Sequence, residues 1–200
     1  MADITDLILN DHRWFREQFV ALDDAGSDAG EGADEAALTK VWEPLAQRLD
    51  LHAIAEEQIF YPRLLEFGKD PEDETLDAIG DHNDIRDGVH DAARHPLGTD
   101  AWWVAVRSAR EANDEHMAEE EREGIADFRR HAPADLRETL GRQFAGFLDE
   151  HRTTTGVDTS DKDPQTYVRD IERTLHSPED SGDAGDSSLR IGSLKGKSSS

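Results

Sequence analysis

The stretch DLHAIAEEQIFYPRL, residues 50–64, continues a helical pattern but places two polar residues where apolar ones are expected. The apolar residues of this pattern define a seam with the three- and four-residue steps of a packed bundle helix: Leu45, Leu49 and Ile59. His52 and Glu56 occupy the two positions missing from that series. Because a buried imidazole or carboxylate is costly without a partner, we expect these two side chains to share one.

Three further helical segments have a histidine at the equivalent place of their own seam, namely His12, His82 and His116. The segment with His116 also has Glu120 four residues later, which repeats the spacing of His52 and Glu56. Residues four apart project from one face of a helix and can bind one centre together. Each of the four long helices therefore contributes one histidine to the core, and two of them add a glutamate.

A metal ion would compensate the burial of these imidazoles and carboxylates. Neutral imidazole and carboxylate suit iron, manganese or zinc, and the interior of a helix bundle is an established place for carboxylate-bridged metal pairs. The alternative is a set of core histidines, each hydrogen-bonded to a nearby acid. That alternative explains a single buried histidine well, but four matched positions favour the metal.

The periodicity predicts an all-α chain with four long helices and two shorter ones. The predicted helices cover residues 3–22, 34 to about 62, 72–93, 100–130, 136–152 and 165–176. No strand-like alternation and no repeat of fixed period is present. Long helices joined by loops favour an up-down antiparallel four-helix bundle with a short additional C-terminal helix.

The domain prediction divides the chain into three parts. Residues 1–152 form the bundle, residues 153–176 form a linker with a possible short helix, and residues 177–200 form a tail. The tail is rich in Ser, Gly and Asp and has few apolar residues, which predicts disorder.

Composition restricts the chemistry and the partners. The formal net charge of −24 argues against nucleic acid and anionic membranes, because phosphate binding needs clustered Lys and Arg. The chain has no Cys, so a metal must be held by His, carboxylate, Tyr or water. No secretory signal and no apolar run of ~18 residues is present, which makes a cytoplasmic protein the default expectation.

Three stretches of the sequence together resemble the hemerythrin-like (HHE cation-binding) family: HAIAEEQIFYP, GDHNDIRDGV and HMAEEE. The resemblance covers roughly residues 1–152. It implies an up-down bundle of four helices that holds two non-haem iron ions per chain. By the same resemblance, the terminal ligands would be His12, His52, His82 and His116, and the bridging ligands would be Glu56 and Glu120.

The chain departs from the oxygen-carrying hemerythrins at two places. Arg86 stands where those proteins have a second histidine one turn after His82, and the fourth-helix motif is His-x-x-x-Glu rather than His-x-x-x-x-Asp. With four histidines instead of five, the resemblance favours redox or sensing chemistry over plain oxygen transport. Arg86 is expected to pair either with a bridging glutamate or bound anion, or with an acid at the edge of the seam.

Tyr61 is a further candidate, because some hemerythrin-like proteins use a tyrosine near the end of the second helix as an iron ligand. A regular helix would turn Tyr61 about half a turn away from His52, so it could reach the metal only if Pro62 or a bulge distorts the helix. Packing is the alternative role. Three other acids are interpreted as surface residues: Glu57, Glu119 and Glu121.

The leading functional hypothesis is a non-haem di-iron protein that binds O2, peroxide or nitric oxide, with a role in redox or in the response to oxidative or nitrosative stress. The alternative is an iron or oxygen sensor, a binding module without turnover. Repair of damaged iron centres and a metal-free structural bundle are the remaining possibilities. The sequence indicates no particular protein partner.

Overall fold

The computed structural model describes residues 2–27 and 35–176, and every regular element within those ranges is helical. The elements are α1 (Ile4–Ser27), α2 (Glu35–Ala55), a π-helical turn (Glu56–Phe60), α3 (Tyr61–Phe67), α4 (Pro71–Ala92), α5 (Asp100–Arg122), α6 (Gly124–His131), α7 (Ala134–Glu150) and α8 (Pro164–Leu175). The predicted all-α fold is therefore confirmed.

The four helices that contain the predicted ligands contact one another in a ring. α1 packs against α2, α2 against α4, α4 against α5, and α5 against α1, with the α4–α5 contact the most extensive. α7 covers α1 and α2, while α8 packs on α4 and α3. The predicted ligands of these helices can consequently face a shared interior.

Two apolar clusters form the core, one on each side of the predicted ligands along the helices. On α1, Ile8 belongs to one cluster and Phe15 to the other, and His12 lies between them. On α4, Ile79 and Ile85 flank His82 in the same way. The polar residues therefore form a layer between two apolar layers, and the apolar layers exclude water from it.

The segment predicted as one helix over residues 100–130 is two helices in the structure. α5 ends at Arg122, the backbone turns at Glu123 with φ −112° and ψ −77°, and α6 begins at Gly124. Glu74 stabilises this new helix start, because its Oε1 atom accepts a hydrogen bond of 3.1 Å from the Gly124 amide. A tertiary contact from α4 thus stabilises a break that local periodicity does not encode.

The C-terminal part of the described chain contains α8, close to the short helix predicted over residues 165–176. Asp163 caps α8 by accepting a hydrogen bond from the Thr166 amide at 2.8 Å. The division of the chain at residue 152 stays a prediction, and the tail predicted over residues 177–200 lies outside the described residues. Among the helices of residues 2–27 and 35–176, none combines the length and apolarity that crossing a bilayer requires.

Candidate metal centre

The structure brings together all six residues that the sequence predicts as ligands. They come from four helices and the π turn, and each is at most 4% exposed: His12, His52, Glu56, His82, His116 and Glu120. Three subsets of them offer donor atoms within 4.8 Å of one another: His12 with His52 and Glu56, Glu56 with His82 and His116, and His12 with His116 and Glu120. These subsets share members, so the donors extend over more space than a single three-ligand site needs.

The Nε2 atoms of the histidines point toward the two glutamates. Glu56 lies between two of them, with Oε1 3.0 Å from His52 Nε2 and Oε2 3.3 Å from His82 Nε2. Glu120 Oε2 lies 3.3 Å from His12 Nε2 and 4.0 Å from His116 Nε2. Imidazole nitrogens and carboxylate oxygens at these separations can be bridged by cations placed between them.

The opposite ring nitrogen, Nδ1, of each histidine faces an acid from a different helix. The four pairs are His12 with Glu121 at 3.0 Å, His52 with Asp11 at 3.0 Å, His82 with Glu57 at 3.0 Å, and His116 with Asp81 at 3.6 Å. An acid on Nδ1 fixes the ring orientation and leaves Nε2 free to bind a metal. Hydrogen bonds therefore hold His12, His52 and His82 in an orientation suited to metal binding, and Asp81 lies near the ring of His116.

These acids form a cycle around the ring of helices. α1 provides the acid for His52, the π turn after α2 provides the one for His82, α4 provides the one for His116, and α5 provides the one for His12. Each acid stands directly beside a predicted ligand in the sequence, as Asp81 stands beside His82. Sequence reasoning missed this set, although the position of these four acids directly beside predicted ligands was a usable signal.

The carboxylates of the centre attract positive charge strongly. Burial alone would lower the pKa of His52, but the charge of Glu56 and the hydrogen bond to Asp11 raise it to about 10. The pKa of His82 is raised in the same direction by Glu56 and Glu57 against the effect of burial. Burial raises the pKa of Glu56, yet His52 and His82 bring it well below its usual range. A metal cation at the Nε2 atoms would supply that positive charge in place of protons.

Several buried polar atoms of the centre face one another as close ion pairs but have no partner in normal hydrogen-bond geometry: Nε2 of His12 and His52, both carboxylate oxygens of Glu56, and Oε2 of Glu120. Buried polar atoms are nearly always satisfied, so a cluster of unsatisfied ones indicates a missing partner. All of these atoms are metal donors, and all face the interior of the helix ring. The residues present therefore fit a bound metal.

The π turn places Tyr61 in this centre. The extra residue of the turn changes the phase of the helix, so that Phe60 and Tyr61 are fully buried while Ile59, the predicted seam residue, is only partly buried. The Tyr61 hydroxyl donates a hydrogen bond of 2.7 Å to Glu120 Oε1. Burial and the nearby Glu120 raise the pKa of Tyr61 well above its usual value, which keeps the hydroxyl protonated as a donor.

Glu57 is not the surface acid that the sequence pattern predicts. Its side chain is 1% exposed, and its Oε1 atom accepts hydrogen bonds from His82 Nδ1 and Arg86 Nη2. The extra residue of the π turn contributes to this burial, because it rotates the turn relative to a regular α-helix. Arg86 accordingly pairs with a buried acid beside a ligand rather than with Glu56 or Glu120.

The other two acids predicted at the surface lie there at least in part. The side chain of Glu119 is 44% exposed. That of Glu121 is 31% exposed while it binds both His12 and Arg16.

Residues 3–126 match the family model of the hemerythrin HHE cation binding domain, and this match includes all six predicted ligands. Searches of curated proteins and of solved structures return no match. The matched residues make up more than half of the 200-residue chain and include α1, α2 and α4, as well as α5 and the first residues of α6. This chain belongs to the hemerythrin HHE cation-binding domain family.

Proposed function

We propose that this protein holds two non-haem iron ions in an up-down four-helix bundle and binds O2, peroxide or nitric oxide there. In this proposal His12, His52, His82 and His116 are terminal ligands, and Glu56 and Glu120 bridge the ions. Binding of these small molecules would serve redox chemistry or the response to oxidative or nitrosative stress.

The observation that carries the proposal is the position of Glu56. Its two oxygens face different histidines, His52 and His82, at 3.0 and 3.3 Å, and neither oxygen has a partner in normal hydrogen-bond geometry. A carboxylate that binds a single ion needs only one of these directions. A carboxylate that bridges two ions uses both, as in the di-metal centres of helix bundles.

The protein residues would bind, orient and shield the metals. The acids on the Nδ1 atoms fix the imidazoles, the apolar clusters on both sides exclude water, and Tyr61 holds one oxygen of Glu120. Iron, when bound, supplies the redox chemistry and the exchangeable position for the small ligand. The donor set of nitrogen and oxygen atoms without thiolate suits iron in this role.

Metal analysis of protein purified from an iron-supplied culture tests this proposal, together with an absorption spectrum before and after addition of peroxide or nitric oxide. We expect about two iron ions per chain, by analogy with carboxylate-bridged bundle sites. Less than one metal ion per chain, or zinc alone at one per chain, would overturn the di-iron proposal.

The unsatisfied donors also support a second candidate, an iron or oxygen sensor without turnover. Without a cation, the centre buries unsatisfied carboxylate and imidazole atoms at a free-energy cost, so loss of metal should loosen the helices. Sustained consumption of peroxide by the iron-loaded protein favours a protein that turns over its ligand at the iron pair. A large iron-dependent gain in thermal stability without turnover favours the sensor.

A further inference from the structure

The acid behind His82 is contacted by a part of the chain outside residues 3–126. Lys162, in the segment between α7 and α8, brings its Nζ atom to 2.5 Å from Glu57 Oε2. Glu57 in turn accepts from His82 Nδ1 through its other oxygen. A continuous chain of polar contacts thus runs from the C-terminal segment to a predicted metal ligand.

We propose that residues 162–175 form a strap that closes the metal centre on the side of His82, and that Lys162 is a positioning residue for this ligand. The strap would couple retention of the metal to docking of the C-terminal segment. This inference rests on the proposed function, because it requires a metal ion bound at His82.

Two backbone contacts fix the strap at its start. The side-chain amide of Asn83 donates from Nδ2 to the Lys162 carbonyl at 2.8 Å, and its Oδ1 accepts from the Lys162 amide at 3.0 Å. Asn83 follows His82 directly on α4. The backbone of Lys162 is therefore held beside the ligand, and its side chain needs to span only the distance to Glu57.

A third contact joins α8 to the π turn. The Tyr167 hydroxyl donates a hydrogen bond of 2.5 Å to the backbone carbonyl of Glu57. The next residue, Val168, is 3% exposed, while α8 as a whole packs on α3 and α4. Backbone and side chain of Glu57 are thus both bound by the strap, at the point where helical hydrogen bonding changes from α to π geometry.

The charges around Glu57 explain why Lys162 matters to the centre. Glu57 Oε1 is shared by His82 and Arg86, both of which are buried, whereas Oε2 pairs with Lys162, whose side chain is 33% exposed. Lys162 is thus the solvent-reachable member of an otherwise buried network. Without Lys162, Oε2 would be a buried carboxylate oxygen with no cation against it, and Glu57 would be held beside His82 Nδ1 less firmly, through Oε1 alone.

The test compares Lys162→Met with Lys69→Met in the full, iron-loaded chain. Lys69 is 74% exposed and its Nζ atom lies 3.8 Å from Asp70, so its substitution removes the same charge from an exposed pair that contains no predicted ligand. Release of iron to an added ferrous chelator is followed over time, with the absorption spectrum recorded at the start. We expect about tenfold faster release from Lys162→Met, the scale of losing a residue that orients a metal ligand, and no change from Lys69→Met.

Two further variants separate positioning from folding. Lys162→Arg keeps the cation and should restore slow release, while Tyr167→Phe removes the second contact to Glu57 and should accelerate release by a smaller factor. Equal release rates for Lys162→Met and Lys69→Met in iron-containing protein would overturn the strap alone. An iron-free wild-type protein would overturn the proposed function and the strap with it.

Discussion

The two His-x-x-x-Glu motifs of the centre are alike in sequence but differ in the structure on their C-terminal side. After Glu56 the chain continues through a π turn into α3, and after Glu120 the helix ends within two residues, at Arg122. The oxygens of Glu56 both face histidines, whereas Glu120 offers one oxygen to histidines and accepts from Tyr61 with the other.

The comparison shows that a residue that follows His52 and Glu56, the α2 motif, also contacts Glu120 of the α5 motif, which is formed by His116 and Glu120. The π turn after Glu56 delivers Tyr61 to Glu120, and the same turn delivers Glu57 to His82. The α5 motif has no such turn, and its following acid, Glu121, stays near the surface. We therefore expect the α2 motif to contribute more to metal binding and to stability than the α5 motif.

The largest expected effect is a loss of bound iron, which should be greater in Glu56→Gln than in Glu120→Gln. Both substitutions keep the size of the side chain and remove its charge, but Glu56 belongs to two of the three potential metal groups and Glu120 to one. We expect iron in Glu56→Gln to fall below about one ion per chain, while Glu120→Gln keeps about one. Metal analysis of both proteins measures this, and equal losses would contradict the proposed asymmetry.

The next comparison concerns the effect on stability of the arginines that pair with Glu57 and Glu121. It uses the variants Arg86→Met and Arg16→Met. Arg86 is fully buried against Glu57, whereas Arg16 is 45% exposed in its pair with Glu121 at 2.9 Å. Arg86→Met removes the buried guanidinium from Glu57 Oε1 and leaves that carboxylate with His82 and Lys162, so it should reduce the free energy of unfolding by about 3 kcal/mol. Arg16→Met should reduce it by less than about 1 kcal/mol, because water screens the exposed pair.

Urea unfolding of the metal-free proteins measures both values at one pH. If the free energy of unfolding fell by a similar amount in the two variants, the buried pair would contribute no more to stability than the exposed pair.

The sequence predicts the six candidate ligands because a packed helix repeats its buried face every three to four residues. His12, His82 and the other ligands continue apolar seams, and this periodicity survives in the structure. The same periodicity fails after Glu56. A π turn adds one residue to the helix; the nearby Pro62 indicated a possible distortion, but the residues of EEQIF do not specify a π turn.

The contacts around Glu57 lie beyond sequence reasoning for a different reason. Lys162 is 105 residues further along the chain, in a segment that has no seam of its own. In the sequence, an acid beside a ligand is interpreted as a surface residue, because the cation that pairs with it comes from another part of the fold. The contact of the Lys162 backbone with Asn83 of α4 places that cation, and this contact depends on tertiary packing.

A smaller effect is expected from Tyr61→Phe, which removes the hydroxyl that the π turn brings to Glu120. One buried hydrogen bond is lost, so the free energy of unfolding should fall by about 1 kcal/mol. We expect the number of iron ions to stay as in the wild type, since Tyr61 acts as a donor to Glu120. Loss of iron from Tyr61→Phe, measured by metal analysis, would instead identify Tyr61 as a ligand.

The last expected effect is confined to a narrow pH range and concerns Glu74 of α4, whose carboxyl is influenced by Glu120 of α5. Burial, followed by the charge of Glu120, raises the pKa of Glu74 from 4.5 to about 7. Between these values the folded metal-free protein holds a proton that the unfolded chain has released, so stability falls as pH rises from about 4.5 to about 7.

Glu74→Gln keeps the acceptor for the Gly124 amide but cannot titrate, so it should remove this part of the pH dependence. Thermal unfolding of the metal-free variant and wild type across that range gives the difference between the two proteins. The gain in Tm for Glu74→Gln should grow from pH 4.5 to pH 7 and then level off, because Glu74 is fully ionised above its folded pKa. A constant difference would mean that burial and Glu120 together do not raise the pKa of Glu74 above its ordinary value.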